Sequence, residues 1–133
     1  KGNHWIEEYI VNPPTHILNG FIWSLWGVYD SWKYLDDQFS KKLFFNCLET
    51  IKNNLNNYDI GYWSLYEQSG TYFPMIASPF YHKLHIVQLK ILFSLSSISL
   101  FKDKASQWEA YSDSWINRKR AYIGKALFKV FYY

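Results

Sequence analysis

The chain has 133 residues, 49% of them hydrophobic, 22% aromatic and 19% charged, which is enough material for one compact domain with a sizeable core. A net charge of +3 and an isoelectric point near 8.9 suit a polyanionic glycan or a membrane surface and do not by themselves argue for nucleic acid, which is not expected as a partner. The single cysteine, Cys47, excludes an internal disulfide, and the apolar runs are too short and too broken for a signal peptide or a membrane span.

The first fifteen residues combine an acidic-aromatic run, Trp5-Ile6-Glu7-Glu8-Tyr9, with Asn12-Pro13-Pro14. Proline restricts the residue before it to extended backbone, so this segment is expected to be a loop or strand. A first helix follows from THILNG into FIWSLWGVYDSWKYL, with apolar residues at 21, 22, 25, 26, 29 and 32. Gly20 and Gly27 lie seven apart on one side, where another element could approach closely.

A second helix is expected over 36–56. Leu43, Phe44, Cys47, Leu48, Ile51 and Leu55 form its apolar stripe, and Lys41, Lys42, Lys52 and Asn53 its wet side. An Asn-rich turn through Gly61 ends it. Tyr62 to Phe73 alternates loosely around Ser69-Gly70 and predicts a short β-hairpin. Pro74 and Pro79 keep the next stretch irregular, so a third helix is expected to start near Tyr81 or His82.

A fourth helix spans roughly 100–111, with a stripe of Phe101, Ala105, Trp108 and Tyr111. In the last segment Trp115, Ile116, Tyr122, Ile123, Ala126, Leu127, Val130 and Phe131 share one face, with Arg118, Arg120, Lys125 and Lys129 largely off it. Such a face is expected to cover the domain itself or a missing upstream one, ahead of a second copy or an anionic membrane. Alternating inner and outer helices with short loops describe a mainly α fold: an incomplete α/α toroid, or barrel, of antiparallel helical hairpins, with the short β-hairpin near the active site. Two helical hairpins are too few to close a ring. Together with the absence of an initial methionine, this predicts a piece of a longer protein. The plain helical bundle is the alternative.

The stretch from Tyr66 to Leu89 concentrates the residues with chemistry. His82 and His85, at i and i+3, could contribute two metal ligands, but two without a third make a metal unexpected. Any one of the twelve tyrosines is more often a core or rim residue than a catalyst. Glu7-Glu8 reads first as a solvated acidic pair.

LNGF before a helix ending in VYD, then YDIGYWSLYEQ, then YHKLHIVQL, then LFKDKASQWEAY, together resemble the C-terminal domain of the D-glucuronyl C5-epimerases. The likeness runs from about Trp5 to Tyr111, so residues 1–111 are expected to form the epimerase-like domain and residues 112–133 an added amphipathic helix. The resemblance implies an α/α-barrel domain, preceded by β-rich domains of the same chain. It implies inversion of C5 of glucuronic acid within a heparosan-like polysaccharide to give iduronic acid, with no cofactor. It places the acid and base groups on Tyr9 and Glu8 of EEY, Tyr66 of SLYEQ and Tyr81 of FYHKLH. Asn19 of LNG, with His82 and His85, falls on substrate-lining positions.

The chain departs from the family pattern at Ile10, where a proline is usual, at Ser69, where an arginine is expected, and at Phe80, where an aspartate is expected. The loop from Tyr66 to Tyr81 is also short. Losing an arginine near an anionic substrate bears on substrate identity more than on fold.

Epimerisation α to a carboxylate needs a base on one face of the sugar, an acid on the other and donors for the enolate-like intermediate. Tyrosine suits the acid role, and Glu8 could serve as the base. The expected partners are an anionic polysaccharide, the upstream β-rich domains and a second copy of the chain. A polysaccharide lyase sharing the first proton abstraction, and a non-catalytic glycan-binding domain, are the competing readings.

Overall fold

The computed structural model describes residues 4–132 and contains five α-helices: α1 (Leu18–Leu35), α2 (Gln38–Asn54), α3 (Pro79–Ser96), α4 (Ser99–Asp113) and α5 (Trp115–Tyr132). A 3-10 turn, Leu55–Tyr58, closes α2. The mainly helical reading is therefore correct.

Two-residue links force two tight reversals. Asp36 and Ser97 close α1 and α3 in the left-handed region, at φ 49° and 58°. α1 consequently folds back on α2 and α3 on α4, while α1 and α3 touch across the middle. Asp37 caps α2, its carboxylate accepting from the Phe39 and Ser40 amides at 3.1 and 3.0 Å.

The core lies where the four helices meet. Phe21, Ile22 and Leu25 come from α1, Phe44, Cys47 and Ile51 from α2, Leu89 and Leu92 from α3, and Phe101, Ala105 and Trp108 from α4. All are essentially inaccessible, and each large side chain so buried contributes about 1.5–3 kcal/mol. The expected stripes of α2 and α4 are the faces that pack. Burial pushes the Cys47 thiol up to about 11, so it behaves as a small apolar side chain.

Three local expectations change. Among the described residues no strand forms between α2 and α3; only two isolated antiparallel bridges do, Asp59 with Ser64 and Leu65 with Ile76. Gly61 and Gly70 at positive φ, with Pro74, break the run before a ladder can propagate.

α3 starts at Pro79, not at Tyr81 or His82. Proline is tolerated at the first helical position, where its missing N–H has no intrahelical partner anyway. Ser78 caps this end, its hydroxyl accepting from the Tyr81 amide at 3.3 Å.

α5 does not cover the domain with its expected apolar face. It packs through Ala121 and Phe128, with Gly124 so close to Ile76 that a Cβ there would collide with the isoleucine methyl. The Lys125 ammonium donates to the Ile76 carbonyl at 3.3 Å and the Arg120 guanidinium covers the Tyr62 ring at 4.1 Å. Trp115, Ile116, Tyr122, Ile123, Leu127 and Val130 face away from the domain. Small residues admit the close approach, so the contact follows shape rather than apolarity.

Candidate active site

The segment before α1 is held by Glu7. Its carboxylate accepts from the His16 amide at 3.0 Å and pairs with the His16 ring Nδ1. His16 itself sits at φ 49°, a strained conformation for a non-glycine residue. Two further contacts secure it: Trp5 stacks on its ring at 4.3 Å and the Tyr58 hydroxyl donates to its carbonyl at 2.6 Å. The two glutamates therefore separate. Glu7 is a structural clamp, and Glu8 is free to lie over the first turn of α1.

At that turn Gly20 makes the approach possible. A Cβ on residue 20 would run into the Glu8 carboxylate and come within 3.2 Å of its Cβ. The partial positive charge of a helix N-terminus favours a carboxylate there. Gly27, its expected companion, faces open space. Asn19, beside Gly20, is buried; its carbonyl accepts from Gln88 Nε2 at 3.0 Å and its side-chain oxygen has no protein partner.

The Tyr66 loop is tied to the same turn. The Leu18 amide donates to the Tyr66 carbonyl at 3.1 Å and the Gln68 amide to the Thr15 carbonyl at 2.7 Å. Tyr66 meets Tyr81 of α3 edge to face, with ring centroids 4.8 Å apart, and Phe80 meets the Tyr81 ring at 5.3 Å. Both tyrosines are half-buried. Burial first, then the neighbouring Tyr81 and Glu8, push the Tyr66 phenol well above its ordinary range. Tyr66 is thus a protonated donor at neutral pH. Glu8, Tyr9, Tyr66 and Tyr81 form one neighbourhood, in which Glu8 and Tyr9 are exposed and the other two half-buried.

His82 and His85 lie elsewhere. Both are fully buried beneath α3 and share Ser64. The Ser64 hydroxyl lies 2.7 Å from His82 Nδ1 and 3.0 Å from His85 Nδ1, the Ser64 amide donates to His82 Nδ1 at 3.2 Å, and His82 Nε2 lies 3.0 Å from the Trp108 carbonyl. That carbonyl requires a proton on Nε2, which leaves Nδ1 to accept from Ser64. Trp63 stacks on the His82 ring at 3.8 Å. Burial pushes His82 down to about 4 and His85 to about 3, so both rings are neutral. These rings pin the loop to α3 and α4 and are not exposed to a ligand as the resemblance implied. Among the described residues no cluster of three or more His, Cys, Asp or Glu could hold a metal ion.

One further knot escaped the sequence reading. Asp59 accepts from the Lys104 ammonium at 2.8 Å, from Trp108 Nε1 at 3.2 Å and from the Gly61 amide at 2.8 Å. Burial opposes its ionisation, but Lys104 and these donors outweigh it and hold the carboxyl below its ordinary value. The Asp-x-Gly turn was visible in sequence; its cation, 45 residues away, was not.

A cavity of about 260 Å³ in the same loop is lined by Leu65, Glu67, Gln68, Ser69, Thr71 and Met75 among others, and neither Tyr66 nor Tyr81 is part of its wall. It contains an acid and no cation, and the Ser69 hydroxyl is bonded to Glu67.

Residues 1–110 match the family model described as D-glucuronyl C5-epimerase C-terminus. A D-glucuronyl C5-epimerase of Caenorhabditis elegans is 29% identical over 127 residues, covering 84% of this chain and 20% of the relative. An uncharacterized protein of Methanocaldococcus jannaschii is 27% identical over 108 residues, covering 81% of this chain and 34% of that protein. The chain thus spans about a fifth and about a third of the length of these two relatives.

Proposed function

The chain belongs to the D-glucuronyl C5-epimerase family through its C-terminal domain, and from that premise we propose that it carries the acid–base groups of a uronosyl C5-epimerase. The substrate in this reading is a heparosan-like polysaccharide, and the helices are part of an α/α toroid. The observation that carries the reading is the convergence of Tyr66, Tyr81 and Glu8 from three separate segments on the first turn of α1.

A base removes the C5 proton, and the C–H electron pair moves into the adjacent carboxylate to give an enolate. An acid then returns a proton to the opposite face of C5, and the enolate electrons collapse back into the new C–H bond. No glycosidic bond breaks: the C5–H bond that is broken is replaced by one of opposite configuration. Glu8, with Tyr9 beside it, is the base side. Tyr66, whose proton is held at neutral pH by burial and by Glu8, is the acid, and Tyr81 orients it edge-on. Asn19 supports the turn on which Glu8 rests, and the buried histidines position the loop rather than touch the sugar.

The enolate's negative charge needs compensation. Ser69 stands where the resemblance expects an arginine, so a part of the protein outside the described residues supplies the cation in this reading. That same deficit favours the second reading, a glycan-binding domain without turnover.

The test is exchange of the C5 hydrogen with deuterated water in a full-length protein carrying this chain. Tyr66→Phe and Tyr81→Phe each delete one hydroxyl and keep the ring. Tyr66→Phe is expected to lower exchange by about 10² to 10⁴ with an unchanged melting temperature. Full exchange in both variants overturns the assignment. Binding without exchange in the unaltered protein selects the glycan-binding reading, and an unsaturated, shortened product selects a lyase.

A further inference from the structure

We propose that the outer face of α5 docks on an anionic lipid bilayer, with the helix lying in the plane of the headgroups. Trp115, Ile116, Tyr122, Ile123, Leu127 and Val130 are 45 to 78% exposed along that face. Helical spacing places them on the side opposite Ala121 and Phe128, which hold α5 to the domain. Buried one face and apolar on the other, the helix has no conventional wet side.

The charges select the occupant. α5 contains five of the chain's fourteen Lys and Arg and none of its eleven Asp and Glu. By the same spacing Arg118 and Lys129 run along one flank of the apolar strip, while Lys125 and Arg120 at its edges turn to Ile76 and Tyr62 of the domain. Lys119 lies within the strip, its ammonium 4.1 Å from the Trp115 ring centroid. Its long stem lets the charge reach the headgroup level while the methylenes stay with the apolar face. Branched aliphatics between flanking cations, with Trp and Tyr among them, are the composition of a helix that lies in a membrane interface. No helix among the described residues is long and apolar enough to cross a membrane, which fits lying on the surface.

Other occupants fit less well. Two copies meeting through this face would bring cation against cation, with no acid on either α5 to pair them. A soluble polyanion would use the flanks but give Ile116, Ile123 and Val130 nothing to bury against. Anionic lipid satisfies both features.

The proposal does not depend on the epimerase reading, and its test uses no sugar. The 133-residue chain is sedimented with vesicles of phosphatidylcholine alone and with vesicles containing about 30% phosphatidylserine. At least tenfold stronger partitioning into the anionic vesicles, weakened by salt, is expected. Ile123→Ser combined with Val130→Ser should lower it at least tenfold. Lys119→Glu and Lys129→Glu should each lower it about fivefold or more, at about 1 kcal/mol per basic residue near the surface. These residues point outward, so circular dichroism and the melting temperature should stay as in the unaltered chain. Equal partitioning into both vesicles overturns the proposal. So does a dimer by light scattering that the serine changes dissociate without vesicle binding, and so does binding confined to soluble anionic polysaccharide.

Discussion

Tyr81 stands half-buried at the mouth of the Tyr66 loop, its ring edge-on to Tyr66, while His82, the next residue, is fully enclosed between Trp63 and α4. One helical step of about 100° separates a group with access to solvent from one locked into the core. The first neighbourhood sets a phenol held protonated beside a carboxylate, the arrangement that the proposed proton donation needs. The second is built for persistence: a neutral imidazole with both nitrogens engaged, bridging a loop amide to a helix carbonyl. Adjacent polar residues in one motif therefore serve different ends, and only the helical phase assigns them.

The largest effect separates the two directly. His82→Leu removes the partner of the Trp108 carbonyl and of the Ser64 amide, leaving buried polar groups unsatisfied at about 1–3 kcal/mol each. Urea unfolding is expected to show a loss of about 3–5 kcal/mol, whereas Tyr81→Phe should leave the midpoint within about 0.5 kcal/mol. Equal losses in the two variants would erase the distinction between the regions.

Acid should act on the second neighbourhood first. His82 falls from 6.5 to about 4 in the folded state, so below pH 6.5 the unfolded chain binds a proton that the native chain refuses. Its contribution is complete above pH 6.5 and disappears as pH falls from 6.5 to 4, at about 1.4 kcal/mol per pH unit. His85, lowered in the same direction, extends the loss toward about 3. Asp59 acts at the foot of the same range: its stabilisation is present above the ordinary carboxylate value and is lost below it. Midpoints measured between pH 7 and pH 4 should fall for the unaltered chain and for Tyr66→Phe in parallel. A flat profile above pH 5 would mean that the histidines are not enclosed as neutral rings.

Ser64→Ala probes the bridge with a smaller expected loss, about 1–3 kcal/mol. His85 Nε2 already has no protein partner, so losing the serine hydroxyl leaves the second ring nitrogen bare as well. His82 keeps its bond from the Ser64 amide. A loss as large as that of His82→Leu would shift the weight of the network from His82 to His85.

The helical stripes were legible in sequence because they depend on a local period: residues 44, 47, 48 and 51 of α2 turn inward as their spacing requires. What covers an apolar face is a long-range fact. That is why the Ile116 and Ile123 face of α5, expected to cover the domain itself or an upstream one, does not pack on this domain, which α5 meets through Ala121, Gly124 and Phe128. The chemistry of Tyr66 and Tyr81 entered through the family resemblance, since twelve tyrosines cannot be ranked by pattern. Their contact was not readable at all, because it depends on where the Tyr66 loop crosses α3. Ser64 and Asp59 were overlooked for a related reason: a serine and a turn aspartate carry little signal until His82, His85 and Lys104 arrive from distant segments.

Gly20→Ala gives the smallest change in stability and the sharpest reading of the first neighbourhood. Alanine favours a helix over glycine by up to about 1 kcal/mol, so the fold should hold or gain slightly. The new Cβ would occupy the space taken by the Glu8 carboxylate, and Glu8 is the group with room to move because it lies on an exposed segment. The three atoms nearest that Cβ all belong to Glu8, so Tyr66 and Tyr81 should remain in place. C5 exchange in the full-length protein should therefore fall while the melting temperature does not, and Glu8→Gln should lower exchange without moving any backbone. If Gly20→Ala exchanged at the unaltered rate while Glu8→Gln did not, the carboxylate would be acting from somewhere other than the first turn of α1. If neither variant lost exchange, the base would have to be sought on Tyr9.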